Sequence, residues 1–171
     1  TTTPLPTMYS ATTNYDVWAK RLSQQGVDGV FRVLCHMYDF QKDNEIVKKC
    51  VLNTQFITNA MGENVKAIPV IAECYRGNDV RVTTHVVALL NDCIIDASYE
   101  VGSMGGTVYY QTLSSFFLDT PELSSDFRKQ CISEFVALQK SANQINEGHF
   151  LTDGTDYYER QAQYVVSKLS T

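Results

Sequence analysis

Apolar residues recur at helical spacing in four stretches of the chain and at strand-like spacing in four others. Val17, Trp18, Arg21 and Leu22 fall between Asn14, a capping residue, and Gly26, a natural stop, so a helix is expected over 15–25. Residues 30–37 alternate weakly and are rich in β-formers, which predicts a strand. Ile46, Cys50, Asn53, Thr54 and Ile57 share one face of a helix lying within 45–61 and ended by Gly62. Residues 65–75 read as a strand whose Pro69 implies an edge or a bulge. A turn at 76–79, a strand over 80–90, a tight Asn91-Asp92 turn and a strand over 93–98 come next, giving an antiparallel meander. Gly102, Gly105 and Gly106 mark a loop, and 107–117 is mixed, a strand and a bend. Thr120-Pro121-Glu122 has the form of a helix start, and Phe127, Cys131, Phe135 and Leu138 share one face of the helix it opens. Thr155 caps a final helix over 156–169, with Tyr158, Ala162, Val165, Val166 and Leu169 inward.

These elements make an α+β chain, an antiparallel sheet flanked by helices. Residues 1–13, rich in Thr, Pro and Ser, read as a flexible arm, and 14–171 as a single domain without internal repeats. A domain of 171 residues buries roughly 70% of its unfolded surface and needs no metal or disulfide staple. With 44% apolar and 19% charged residues the chain is ordinary globular material. Fourteen basic against 19 acidic residues leave a net charge of −5, with the basic residues scattered, so nucleic acid is not an expected partner. No apolar run approaches the ~18 residues that a membrane span needs. The first residues lack the basic start and apolar block of a signal peptide. Five cysteines, an odd number with no Cys-x-x-Cys pair, suit free thiols in a reducing, cytoplasmic compartment. Oligomeric state is left open.

Candidate chemistry begins with three histidines. His36 follows Cys35 in the strand-like run, where neighbours point to opposite faces, and His149 lies in a polar loop. His85 is more informative. With a two-residue turn at Asn91-Asp92, opposed residues sum to 183, so Leu90 faces Cys93, Val87 faces Asp96 and His85 faces Ser98. His85 and Asp96 are then diagonal neighbours on one face, about 7–8 Å apart at the backbone, and Asp96 can orient the imidazole. Among nucleophiles, Cys50 follows Lys48-Lys49 near a helix start, and helix N-termini and cations both favour thiolates. Backbone N–H groups there suit an oxyanion. Asn53, one turn on, is placed to donate to a reacting carbonyl or to steady the contact between helix and sheet.

The order Cys50-Val51-Leu52-Asn53-Thr54, then His85-Val86-Val87, then Asp96-Ala97-Ser98 resembles the core of the transglutaminase-like and papain-like cysteine enzymes. The nearest likeness is to small proteins of bacteria and large DNA viruses with a Cys-x-x-Asn … His … Asp pattern. The likeness spans about a third of the chain, residues 45–101, and departs from the pattern at Val87 and in the Lys48-Lys49 lead-in. It implies a helix-borne nucleophile, Cys50, a base and acid, His85, and an orienter, Asp96, with Asn53 as substrate or oxyanion support. It further implies acyl transfer or hydrolysis on a peptide or protein amide, as a peptidase, amidase, deamidase or transglutaminase. The alternative is an inactive member of the same fold serving as a binding or structural module, a viral assembly protein among the options. No cofactor or metal is expected, since Cys35-His36 and Cys74 with His85 lack zinc-ligand spacing. Gly102–Gly106 lacks the ending of a phosphate loop. The ten tyrosines suit core and interface better than base stacking. Glu100 is expected to be exposed, with only its position to suggest a gating role.

Overall fold

Two-residue turns at Gly77-Asn78 and Asn91-Asp92 set the register of the sheet. The computed structural model describes residues 15–62, 64–102, 106–149 and 154–169; the expected arm and most of the Gly102–Gly106 loop lie outside them. Strand β1 (Val65–Arg76) pairs antiparallel with β2 (Asp79–Leu90) from Arg76↔Asp79 to Val65↔Leu90. Strand β3 (Cys93–Ile95) pairs with the end of β2, Leu90 opposite Cys93 and Ala88 opposite Ile95, the register a two-residue turn dictates. Strand β4 (Thr107–Gln111) lines the other side of β1, giving the order β3-β2-β1-β4. Gly106 enters β4 at φ +75°, and a Cβ there would lie 2.1 Å from the Tyr75 carbonyl oxygen, so only glycine fits.

Pro69 lies where β1 has one neighbour rather than two, because β4 pairs only with Ile71–Tyr75. The open edge is closed by a side chain. Asn146 accepts from the Ala67 N–H (2.7 Å) and donates to the Ala67 carbonyl (2.9 Å), mimicking a strand. Pro69, two residues on, directs its missing N–H to that same edge, where no ladder bond is lost.

Seven helices among the described residues surround the sheet: α1 (Tyr15–Gln24), α2 (Gly26–Asp43), α3 (Cys50–Met61), the single turn α4 (Tyr99–Gly102), α5 (Leu113–Asp119), α6 (Ser125–Asn146) and α7 (Thr155–Leu169). Helices α1, α2, α3 and α7 meet around an aromatic core in which Trp18 packs 4.9 Å from Tyr15 and 5.1 Å from Phe56, with Tyr158 5.1 Å from Tyr15. Helix α6 lies on β1 and β2. Among the described residues no helix is long and apolar enough to cross a membrane.

The buried set Tyr15, Trp18, Ala19 and Leu22 has i, i+3, i+4, i+7 spacing, so one face of α1 turns into the core.

Four expectations are corrected. Residues 30–37 are helical, within α2, because Gly29, Val33, Met37, Phe40 and Gln41 turn inward together at helical spacing, and that packing outweighs local β-propensity. The bend after β4 is helix α5, capped by Thr112, whose hydroxyl accepts from the Ser115 N–H at 3.1 Å. The next helix starts at Ser125, with Ser124 as its cap, while Thr120 closes α5 and Pro121-Glu122 forms the turn between. Strand β3 also stops three residues short of 98. The Asp96 side chain bonds the Ser98 N–H (3.0 Å), and this local turn competes with the ladder.

Candidate active site

Helix α3 can begin only at its present start. Glu45 (φ 53°) and Lys48 (φ 62°) hold left-handed conformations that no right-handed helix accommodates. The first helical bond runs from the Asn53 N–H to the Lys49 carbonyl (2.8 Å), and Lys49 supplies no side-chain cap. The N–H groups of Cys50, Val51 and Leu52 therefore precede the helix's own acceptors. Cys50 is half-buried at this positive end. The Thr54 hydroxyl donates to the Val86 carbonyl (3.1 Å) and ties the helix to β2 beside His85.

His85, fully buried, sits on β2 opposite Val70. Its Nε2 lies 2.8 Å from Asp96 Oδ2, just beyond the end of β3. A ring nitrogen of His85, the Cys50 sulfur and a Glu100 carboxylate oxygen all lie within 4.8 Å of one another. With Nε2 engaged by Asp96, the nitrogen left for Cys50 is Nδ1, which is buried and without a hydrogen-bond partner. Asp96 also accepts from the Tyr110 hydroxyl (2.9 Å) and the Ser98 N–H (3.0 Å). Tyr110 is opposite Ala72 on β4, two residues from Val70 on the same face of β1, so its ring stacks on His85 with centroids 6.3 Å apart and 23° between planes.

Charge is set by these contacts. Burial by itself would lower the His85 pKa, but the bond to Asp96, the contact with Cys50 and the charges of both push it up to about 10. Burial would raise the Asp96 pKa, yet His85, Tyr110 and Ser98 together hold it below the ordinary carboxylate value. Burial and the Asp96 charge push the Tyr110 phenol well up, so it stays a donor. The pair is an imidazolium and a carboxylate at neutral pH.

Asn53 is buried and fully engaged. Its Nδ2 donates to Gln41 Oε1 (3.1 Å) and Ser98 Oγ (3.3 Å), and its Oδ1 accepts from the Tyr157 hydroxyl (2.6 Å). Both N–H bonds are spent within the protein, so of the two roles expected for it the structural one matches its contacts and the oxyanion one does not. Gln41, 1% exposed, is the hub of this network. Its Nε2 donates to the carbonyls of Met37 (3.0 Å) and Ala97 (2.9 Å), and its Oε1 also accepts from the Tyr99 N–H (3.1 Å). It thus pins the segment carrying Asp96 and Glu100 to α2 and α3.

Three contributors are not legible in the sequence pattern. Gln41 lies next to the stretch that reads as a strand, Tyr110 reads as core, and Glu100, expected to be exposed, is half-buried at the cluster. His36 is half-buried on α2 and the His149 side chain is 61% exposed; neither joins the cluster. Compared with protein-family models, with curated proteins and with solved structures, the chain matches none.

Proposed function

We propose that the protein is a thiol enzyme that transfers or hydrolyses the acyl group of a peptide or protein amide, with a transglutaminase-like or papain-like core. One observation carries the reading: the Cys50 sulfur, at a helix start, lies within 4.8 Å of an imidazole whose far nitrogen is held at 2.8 Å by a buried carboxylate. The Cys50 sulfur attacks the amide carbonyl, and the N–H groups opening α3 stabilise the oxyanion. His85, as imidazolium, gives its proton to the leaving nitrogen, the C–N bond breaks and a thioester remains. Water or a second amine then attacks the thioester, delivers its proton to His85 and frees the sulfur. Asp96 holds the ring with Nδ1 toward the sulfur, and Tyr110 holds Asp96. This chemistry requires a reduced Cys50, so a reducing compartment belongs to the proposal.

Alkylation by iodoacetamide at mildly acidic pH tests it. Cys93 is exposed while Cys50 is only half-buried, so access alone favours Cys93. Activation predicts that peptide mapping finds Cys50 modified first, and Cys50→Ala should abolish turnover with little loss of stability. Modification of Cys93 ahead of Cys50 refutes the proposal.

A second reading, a binding or assembly module on the same fold, draws on exposed apolar pairs one turn apart: Val27 and Phe31 on α2, Ile132 and Val136 on α6. Concentration-dependent sedimentation abolished by Phe31→Ser or Val136→Ser, with no activated thiol, would favour it over the enzyme.

A further inference from the structure

Glu100 has no part in the chemistry proposed above, yet its carboxylate reaches the same point as the Cys50 sulfur and the His85 ring. We propose that Cys50, His85 and Glu100 form a three-ligand site for a borderline divalent cation of the zinc class, with its fourth position open to water.

The donor set selects the ion. Thiolate and imidazole suit zinc and its neighbours, whereas calcium and magnesium take oxygen shells. In tetrahedral zinc sites, metal–ligand bonds of about 2.0–2.3 Å put ligand atoms roughly 3.3–3.6 Å apart. The three atoms already lie within 4.8 Å of one another. Closing the remainder takes about an ångström, within reach of side-chain rotation by Cys50 and Glu100.

Two independent features point to a ligand here. His85 is fully buried and its Nδ1 has no hydrogen-bond partner, although it lies on the side toward the sulfur. The opposite nitrogen is bound to Asp96, itself held by Tyr110 and Ser98. A carboxylate on the far nitrogen is the usual support of a metal-bound histidine, since it turns the ring so that Nδ1, once the cation displaces its proton, directs its lone pair outward. Glu100 rides on α4, whose first N–H is fixed by Gln41, so the third ligand is presented by ordered backbone. A bound ion occupies both the sulfur and the imidazole that acyl transfer would use. The site would therefore act as a reversible off-switch, and that consequence alone rests on the function proposed above.

Titration of the reduced full-length protein with cobalt(II), followed by its absorption, and with zinc(II), followed by calorimetry, tests the site. One equivalent should bind, with a sulfur-to-cobalt charge-transfer band and the strong visible absorption of a four-coordinate ion. Glu100→Gln should weaken binding about tenfold or more, and Cys50→Ser should remove the charge-transfer band, with near-UV circular dichroism confirming both folds. Absence of saturable binding in the wild type overturns the proposal. So does a Glu100→Gln variant that binds as well as the wild type, because an adventitious Cys-His pair would then suffice. Cobalt binding reads the site without turnover, and alkylation in a chelator reads the thiol without metal, so either proposal can fail alone.

Discussion

Replacing Asp96 by Asn tests the buried pair that organises the site. His85 is fully buried with its pKa pushed up to about 10, against the effect of burial, by the Asp96 bond and by Cys50. In the unfolded chain the ring titrates near 6.5. Below that pH it is protonated in both states and the stabilisation is complete. As pH rises from about 6.5 toward 10 the unfolded chain releases a proton that the folded protein keeps, so stability falls through that window. The full swing is on the order of 5 kcal/mol, part of it owed to Cys50. For a chain of this size that is roughly 10 °C or more in Tm. Asparagine retains the oxygen that accepts from the Ser98 N–H but offers His85 an N–H instead of a charge, so the ring becomes neutral. Thermal and urea unfolding from pH 6 to 10, in chelator and reductant, should show a steep decline for the wild type and a much flatter profile for Asp96→Asn. At the acid end the wild type should lose stability as pH falls through the lowered Asp96 pKa, a loss the variant lacks. Parallel profiles for the two proteins between pH 6.5 and 10 would refute the charged pair.

Three further substitutions probe the same contacts. Gln41→Leu fills the space but orphans the Ala97 carbonyl, the Tyr99 N–H and the Asn53 amide; urea denaturation should register a loss of about 3–5 kcal/mol. Asn146→Ala uncaps the β1 edge at Ala67 and should cost roughly 1–3 kcal/mol, with faster hydrogen exchange at the Ala67 amide as the specific sign. Tyr110→Phe removes one donor from Asp96, at about 1 kcal/mol in stability, and should shift the pH midpoint of Cys50 alkylation, which a merely structural tyrosine would leave in place.

The legible parts of this fold are the local ones. Two-residue turns have few geometries, and a strand's side-chain period of two leaves little choice of register, so the β2–β3 pairing from Leu90↔Cys93 to Ala88↔Ile95 can be worked out from numbering alone, while the expected pairs Val87 with Asp96 and His85 with Ser98 fall beyond the ladder and His85 meets Asp96 through its side chain. The end of α3 at Gly62 and the inward face of α7 are likewise carried by a stop and a spacing close in the chain. Residues 30–37 mislead because β-branched composition speaks for a strand locally, while the inward face that makes them helical matters only once α7 and α1 are present to cover it.

Gln41 bonds to the Ala97 carbonyl and to Gln161, 56 and 120 residues away, and no spacing rule spans such distances. Tyr110 reaches Asp96 only because β4 returns to the far side of β1, and Glu100 turns inward only because Gln41 holds the turn before it. The sequence by itself determined which residues could carry the chemistry and how the hairpin aligns them, since these are matters of bond geometry over a few residues. Tertiary structure alone decided which polar groups are stripped of water and which partners meet them there: Asp96 and Cys50 keep His85 charged against its burial, Gln41, Ser98 and Tyr157 commit Asn53 to the scaffold, and the turn after Asp96 brings Glu100 to the sulfur.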